Sequence, residues 1–317
     1  MSEVCRFAPT TSGRAHPGTL AAATLAWMDA RMLGAKFILR MEDIDPSADR
    51  NEFREGLLDD LKWFGLDWDE LVWQSQCRAS HEELMDILAK TGRLYECSCS
   101  RTSVKTNGVP SVAGGFIYQG TCRHKKITDW RSSKNNIRID LSDFDISMHD
   151  ESGVDLSQAI KKCMGDPVLV RRDGGFTYQL AVVADDHFSS VSRIIRGSDI
   201  ATSTATQVAL RQLAGWPVPV YRHHLLLLET CGEKFAKFHG AVGADTLRRF
   251  YSADELRGII AEAIGIHPAY LHTTNSDSID KVEPVKIEEL LAGFSWENVG
   301  KKDIVMDWNG EVLRRIA

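Results

Sequence analysis

Arg6-Phe7-Ala8-Pro9-Thr10-Thr11-Ser12-Gly13-Arg14-Ala15-His16-Pro17-Gly18-Thr19 is the stretch from which the fold is read. Residues 4–8 predict a short strand, and Pro9 and Gly13 turn it into a loop. A helix near 17–33 follows, with Leu20, Thr24/Leu25, Met28 and Met32 at helical spacing and Gly34 suited to its end. Pro17 is tolerated in the first helical turn because the N–H it lacks would be unpaired there. Lys36 to Met41 reads as the next strand, closed by Glu42-Asp43-Ile44-Asp45-Pro46. A second helix carries Phe53, Leu57, Leu58, Leu61 and Phe64 on one face and stops at Gly65. Ser80-His81-Glu82-Glu83 predicts a capping box that opens a third helix, ended by Gly92. Strand–helix–strand–helix at this spacing is a βαβ unit, so the sheet is predicted to be parallel.

The loop also carries chemistry. Gly13 and Gly18 let the backbone approach a phosphate, and His16 can donate to a phosphate oxygen. The helix N-terminus adds unpaired N–H groups and the positive end of the dipole. Taken alone, this is an ordinary strand-to-helix loop with a surface histidine, and it matches neither a Walker A nor a dinucleotide fingerprint. Far downstream stands Gly232-Glu233-Lys234-Phe235-Ala236-Lys237-Phe238, a glycine followed by two lysines three apart. Alone it is a solvated basic turn. Brought beside the first loop, it would complete a clamp for a nucleoside triphosphate.

Between these segments, residues 93–166 are polar and hold four of the seven cysteines, Cys97, Cys99, Cys122 and Cys163. Cys97-x-Cys99 followed by Tyr118-x-x-x-Cys122 offers three thiolates, and a tetrahedral zinc site needs a fourth ligand. Tyr118 and His124 are the local candidates, and spacing alone favours His124, the commoner zinc ligand. Residues 167–188 return to strand composition, with a hairpin through Asp173-Gly174-Gly175 into Phe176-Thr177-Tyr178. A helix near 202–214 and a strand near 222–228 follow. The tail 246–317 reads as mainly helical, from the stripes Leu256, Ile259, Ile260, Ala263, Ile264 and Ile287, Leu290, Leu291, Phe294.

The bounds are consistent with a globular enzyme. A chain of 317 residues that is 43% hydrophobic can bury a full core. A net charge of −6 leaves no global attraction for nucleic acid, so any RNA contact needs a local patch. Arg123-His124-Lys125-Lys126 and Lys161-Lys162 are the basic runs on offer, and such runs are more often solvated faces. An odd number of irregularly spaced cysteines argues against a secreted disulfide framework, and neither a membrane span nor a signal peptide is visible. A cytoplasmic monomer is expected.

Together, a His-x-Gly-x signature after the first strand and a Lys-x-x-Lys loop after the last resemble class I aminoacyl-tRNA synthetases. Arg6-Phe7-Ala8-Pro9, Phe37 to Pro46, Tyr178 to His187 and Ile195-Arg196-Gly197-Ser198-Asp199 resemble the glutamyl branch, over about residues 4–240. Within it the chain most resembles the short members that glutamylate queuosine in tRNA(Asp). No room follows residue 240 for anticodon-reading domains, and Val182 stands where full-length enzymes usually have asparagine.

The resemblance implies an α/β, Rossmann-like catalytic domain in two halves, residues 1–92 and 167–240. A zinc-bearing insertion at 93–166 and a small helical region at 241–317 complete it. It implies ATP-dependent activation of L-glutamate, with Mg2+ accompanying ATP, and transfer to queuosine of tRNA(Asp). It assigns glutamate binding to Arg6, Phe7, Ala8, Pro9, Thr10, Glu42, Tyr178 and Arg196. Phosphate chemistry falls to His16, Gly18, Lys234 and Lys237, with ATP held by His16, Gly18 and Lys237. One structural Zn2+ falls to Cys97, Cys99, Tyr118 and Cys122. Arginines suit this pocket because they fork onto carboxylates, and a cationic floor at Arg196 separates glutamate from neutral glutamine.

The chain departs from the family's pattern in places. Pro17 and Thr19 replace commoner residues, the run Thr10-Thr11-Ser12 lacks a second proline, and Ala236 stands where serine is usual. A missing hydroxyl between the two lysines makes a slower or looser loop the expectation. The alternatives are a glutamate-activating ligase with another acceptor and a degenerate, non-catalytic RNA-binding homologue.

Overall fold

A computed structural model describes residues 2–45, 49–111, 114–235, 242–268 and 283–316. It comprises two compact units. Unit 1 is Met1–Trp73, Arg193–Ser198 and His224–Ala317, and unit 2 is Gln74–Ser192 and Asp199–His223.

Unit 1 opens with β1 (Val4–Phe7), α1 (Pro17–Met32), β2 (Lys36–Met41), α2 (Asn51–Trp63) and β3 (Glu70–Trp73). The strand Arg193–Gly197 joins them later in the chain. Pairing is parallel throughout: Arg6 opposes Ile38, Ile38 opposes Glu70, and Cys5 opposes Arg193. β2 is buried along almost its whole length, as expected for a parallel strand covered on both faces. Leu20, Leu25 and Met28 of α1 pack with Phe37, Leu39 and Met41 of β2 and with Leu57 and Leu61 of α2 in one core. A parallel sheet gathers the ends of its strands along one edge. Arg6, Glu42 and Arg196 therefore lie at or just beyond the carboxyl ends of neighbouring strands, where such sheets bind ligands.

Unit 2 holds the helices Arg78–Ala89, Tyr178–Phe188 and Thr204–Ala214. An antiparallel sheet in it has the order Val168–Val170, Asn136–Ile139, Leu94–Cys97. The buried Asp185 carboxylate accepts from Gln74 Nε2 at 2.6 Å and lies 2.7 Å from His81 Nε2, which joins two of its helices and the turn before them.

Three expectations need correction. The helix with Ser80 begins at Arg78, out of the turn Gln74–Cys77, and its cap Cys77 makes no side-chain hydrogen bond. Ser80 is thus already helical, and no capping box forms there. Residues 178–188 are a helix rather than strand. Leu180 to Asp186 are buried consecutively, so no polar stripe marks the helical period. The tail has the helices Ala253–Ile264 and Ile287–Ala292 but also an antiparallel hairpin, Ile304–Trp308 with Leu313–Arg315.

One buried charge organises the start of unit 1. Asp60 of α2 accepts from Arg14 Nε at 2.8 Å, Arg14 Nη2 at 2.5 Å and Ala15 N–H at 3.0 Å. Arg248 Nη2 lies 3.1 Å from the same carboxylate. Gly56 makes room, since a Cβ there would lie 2.7 Å from Arg14 Cδ. The Asp60 side chain is 0% exposed and its neighbour Asp59 is 63% exposed, so the two substitutions should differ. Asp60→Ala is expected to cost on the order of 3 kcal/mol in denaturant unfolding, because it strands the guanidinium partners. Asp59→Ala should cost under about 1 kcal/mol. Equal losses would contradict this account.

Candidate nucleotide and metal sites

The first loop is shaped by hydrogen bonds at both ends. Glu42 N–H donates to Pro9 O at 2.9 Å, and Thr10 and Glu42 form a parallel bridge that prolongs the β1–β2 ladder. Thr11 Oγ1 donates to Asp49 Oδ1 at 2.7 Å. Phe7 ends β1, so Ala8, Pro9 and Thr10 run out from it beside Glu42. Arg6 and Arg196 are buried at 4% and 5% exposure, and Arg40 Nη2 lies 3.6 Å from Glu42 Oε1. Cationic and anionic side chains are thus interleaved at the carboxyl ends of these strands. Tyr178 belongs to unit 2, where it opens its helix.

At the other end of the loop, His16 caps α1. Its extended backbone precedes Pro17, and its Nδ1 accepts from Thr19 N–H at 3.1 Å. With Nδ1 an acceptor, the neutral ring carries its proton on Nε2 and donates from there. Gly18 leaves room for this cap, since a Cβ would sit 3.2 Å from His16 Cε1, a tight contact.

The lysine segment reaches the same place. Gly232, at φ +79°, turns the chain so that Gly232 N–H donates to Glu229 O at 2.8 Å and Glu229 N–H to Glu233 O at 2.7 Å. Lys234, exposed, then bridges back to Leu228. Phe235 is buried and stacks on the His16 ring, centroids 6.2 Å apart at 18°. Beyond the undescribed stretch, Ala244 N–H donates to Ala15 O at 2.7 Å. The chain therefore docks on the histidine loop on both sides of residues 236–241. Ala236, Lys237 and Phe238 themselves lie outside the described residues.

Phe235 and Arg14 are the residues whose roles the sequence reading missed. An aromatic ring between two lysines just after a glycine turn is a signal, because an apolar side chain in a polar turn needs a burial partner.

In unit 2, Cys97 ends the strand Leu94–Cys97, and the sulfurs of Cys97, Cys99 and Cys122 all lie within 4.8 Å of one another. Two sulfurs about 2.3 Å from one tetrahedral ion stand about 3.8 Å apart. Cys99 Sγ and Cys122 Sγ are 3.7 Å apart, and Tyr118 Oη is 3.8 Å from Cys99 Sγ. Tyr118 is buried, and its Oη accepts from Cys122 N–H at 2.8 Å. Gly165 bridges to Tyr118 so closely that a Cβ would meet its backbone at 3.1 Å. His124 is exposed and stands outside the sulfur group. Burial opposes ionisation of Cys97, yet the Tyr118 hydroxyl and the Arg138 guanidinium outweigh it and hold that thiol below its ordinary range. Burial and the neighbouring sulfurs push Cys99 and Tyr118 the other way. Three sulfurs so close resist joint ionisation, and a cation among them removes that conflict. The group is able to hold a metal.

The basic runs differ. Arg123 pairs with the buried Asp166 and Lys126 with Asp140, so the first run is largely committed within unit 2. Lys161 and Lys162 are exposed on a short helix.

Residues 3–279 match the family described as tRNA synthetases class I (E and Q), catalytic domain. The chain is 37% identical to the glutamyl-Q tRNA(Asp) synthetase of Symbiobacterium thermophilum, over 94% of each chain. It is 36% identical to that of Nitratidesulfovibrio vulgaris, over 86% of this chain and 90% of the relative. A glutamate–tRNA ligase 2 of Syntrophus aciditrophicus is 32% identical over 95% of this chain but only 63% of its own length. Among solved structures, the glutamate-tRNA synthetase of Elizabethkingia anophelis superposes with a TM-score of 0.76 at 22% identity. It spans 98% of this chain and 69% of that one, and it supports the fold alone.

The cysteine geometry makes a direct prediction. The purified chain should carry about one equivalent of a thiolate-bound divalent metal by elemental analysis. Cys99→Ser and Cys122→Ser should lose it, and binding should weaken as pH falls, because bound thiolates must give up protons. Full metal retention by both variants would contradict the assignment.

Proposed function

Because the chain belongs to the class I tRNA synthetase family for glutamate and glutamine, we propose that it activates L-glutamate with ATP and transfers it to queuosine in tRNA(Asp). The observation that carries this choice of acceptor is the nearly end-to-end match to relatives named for that reaction. The matched glutamate–tRNA ligase runs well beyond the shared region.

In this proposal the glutamate α-carboxylate attacks the α-phosphorus of ATP and pyrophosphate leaves. A hydroxyl of queuosine then attacks the activated carbonyl, forming an ester and releasing AMP. Arg6 and Arg196 hold the carboxylates, Glu42 accepts from the ammonium, and Phe7, Ala8, Pro9 and Thr10 wall the substrate. For Tyr178 the proposal rests on the sequence resemblance alone. His16 donates to phosphate from Nε2, and Gly18 leaves space for its ring. Lys234 and Lys237 neutralise the departing pyrophosphate. Fixed donors at the place where charge develops are the main source of such catalysis. Mg2+ accompanying ATP would supply further neutralisation of phosphate charge beside Lys234 and Lys237.

For the metal centre, Cys97, Cys99 and Cys122 with Tyr118 as the fourth ligand are proposed to hold a structural Zn2+. The thiolate-rich set and its tetrahedral spacing suit zinc. Its role would be to order a polar segment. The enzyme is proposed to be monomeric and cytoplasmic. Among the described residues no helix is long and apolar enough to cross a membrane.

Glutamate-dependent ATP–pyrophosphate exchange should proceed without tRNA. Labelled glutamate should be captured by tRNA(Asp) bearing queuosine and not by tRNA(Asp) lacking it. Equal labelling of both would move the acceptor elsewhere, and absence of exchange would favour a non-catalytic homologue. Lys237→Ala should slow exchange about a hundredfold. Near-normal exchange in that variant would remove the lysine from the mechanism.

A further inference from the structure

The strand Leu227–Leu228 that leads to Lys234 has two residues, too few to hold an orientation unaided. Its neighbours are therefore decisive. On one edge Leu228 bridges Lys234. On the other, Leu227 and Leu228 pair in parallel with Ile304 and Val305 of the tail. Two hydrogen bonds start that ladder: Leu226 N–H donates to Asp303 Oδ1 at 2.8 Å, and Ile304 N–H donates to Leu226 O at 2.9 Å.

The tail strand is itself anchored. Ile304–Trp308 pairs with Leu313–Arg315, and Val312 N–H donates to Asn309 Oδ1 at 2.8 Å to close the turn. Leu313 N–H donates to Tyr251 Oη at 2.8 Å, and Ile304, Met306 and Leu313 are buried in the unit 1 core. The order across this small sheet is hairpin strand, tail strand, Leu227–Leu228, then Lys234. Leu227 O also stands 3.8 Å from where a Gly18 Cβ would be, so the same strand lies against the start of α1.

We propose that the tail strand Ile304–Trp308 positions Lys234 and the turn before it for phosphate chemistry, with Asp303 as the positioning residue that fixes the strand's register against Leu226. The role rests on the ATP-dependent activation proposed above. It gives the hairpin a part in the reaction at a distance from the glutamate residues on β1, beyond β2 and on Arg193–Gly197. Loosening the strand should therefore disturb pyrophosphate departure and leave glutamate binding intact.

Asp303 is exposed, so Asp303→Ala removes the acceptor without opening the core. The test compares the unaltered chain with Asp303→Ala, Asp303→Asn and Ile304→Pro, which also deletes the N–H donated to Leu226 O. Glutamate-dependent ATP–pyrophosphate exchange, thermal unfolding and amide exchange of residues 226–235 are measured. Asp303→Ala should lower kcat about tenfold, because small misplacements of charged groups are costly. The KM for glutamate should stay within about twofold, amide exchange should quicken over 226–235, and the unfolding temperature should hold. Ile304→Pro should lose more activity, and Asp303→Asn, which keeps an acceptor, should recover most of it. An unchanged kcat in Asp303→Ala would overturn the proposal. So would a loss that follows the unfolding temperature and raises both substrates' KM values alike. Absence of exchange in the unaltered chain is a separate result: it refutes glutamate activation itself, and this role with it.

Discussion

The contact between the His16 imidazole and the Phe235 ring is the interaction on which the rest of the site depends. It joins a helix cap near the N-terminus to a turn more than two hundred residues later in the chain. A cap alone binds anions weakly, and a lysine turn alone is a solvated surface. Their juxtaposition is what the proposed polyphosphate clamp requires. Aromatic stacking suits this task because it fixes one ring plane against another while leaving a polar edge of the imidazole for the ligand. The surrounding structure serves the contact. Asp60 fixes Arg14 and Ala15 just upstream of His16, Ala244 returns to Ala15 O, and Gly18 keeps the imidazole from being displaced.

Much of the fold was legible in the sequence for a local reason. β1, α1, β2 and α2 alternate, and the two helices carry an apolar stripe and a glycine stop, so the bounds of β1, α1 and β2 fell within a residue or two of expectation. Where long-range packing decided the outcome, local pattern failed. Leu180 to Asp186 are buried all round, which hid the helical period under a run of valine and alanine. Ile304–Trp308 is a strand in a hairpin turned by Asn309-Gly310, a local signal that the helical reading passed over, while its second partner, Leu227–Leu228, is announced by nothing near residue 304. The candidate site divides in the same way. His16, Lys234 and the cysteines were found because their chemistry is local. Phe235, Arg14 and Asp60 escaped notice because their importance lies only in what they touch.

The two chemical centres differ in how they are stabilised. The sulfur group is a dense set of groups that resist joint ionisation, a conflict that a cation held between them would relieve. At the strand ends and in the first loop the charges already have protein partners, with Glu42 near Arg40 and Arg14 on Asp60.

The most direct test of the clamp is a double-mutant cycle between His16→Ala and Phe235→Ala, read as kcat for glutamate-dependent ATP–pyrophosphate exchange. If the two loops act as one unit, the effects should be non-additive by about 1 kcal/mol or more, as for residues in contact. Additivity within about 0.3 kcal/mol would mean that the loops act independently, and would contradict the account.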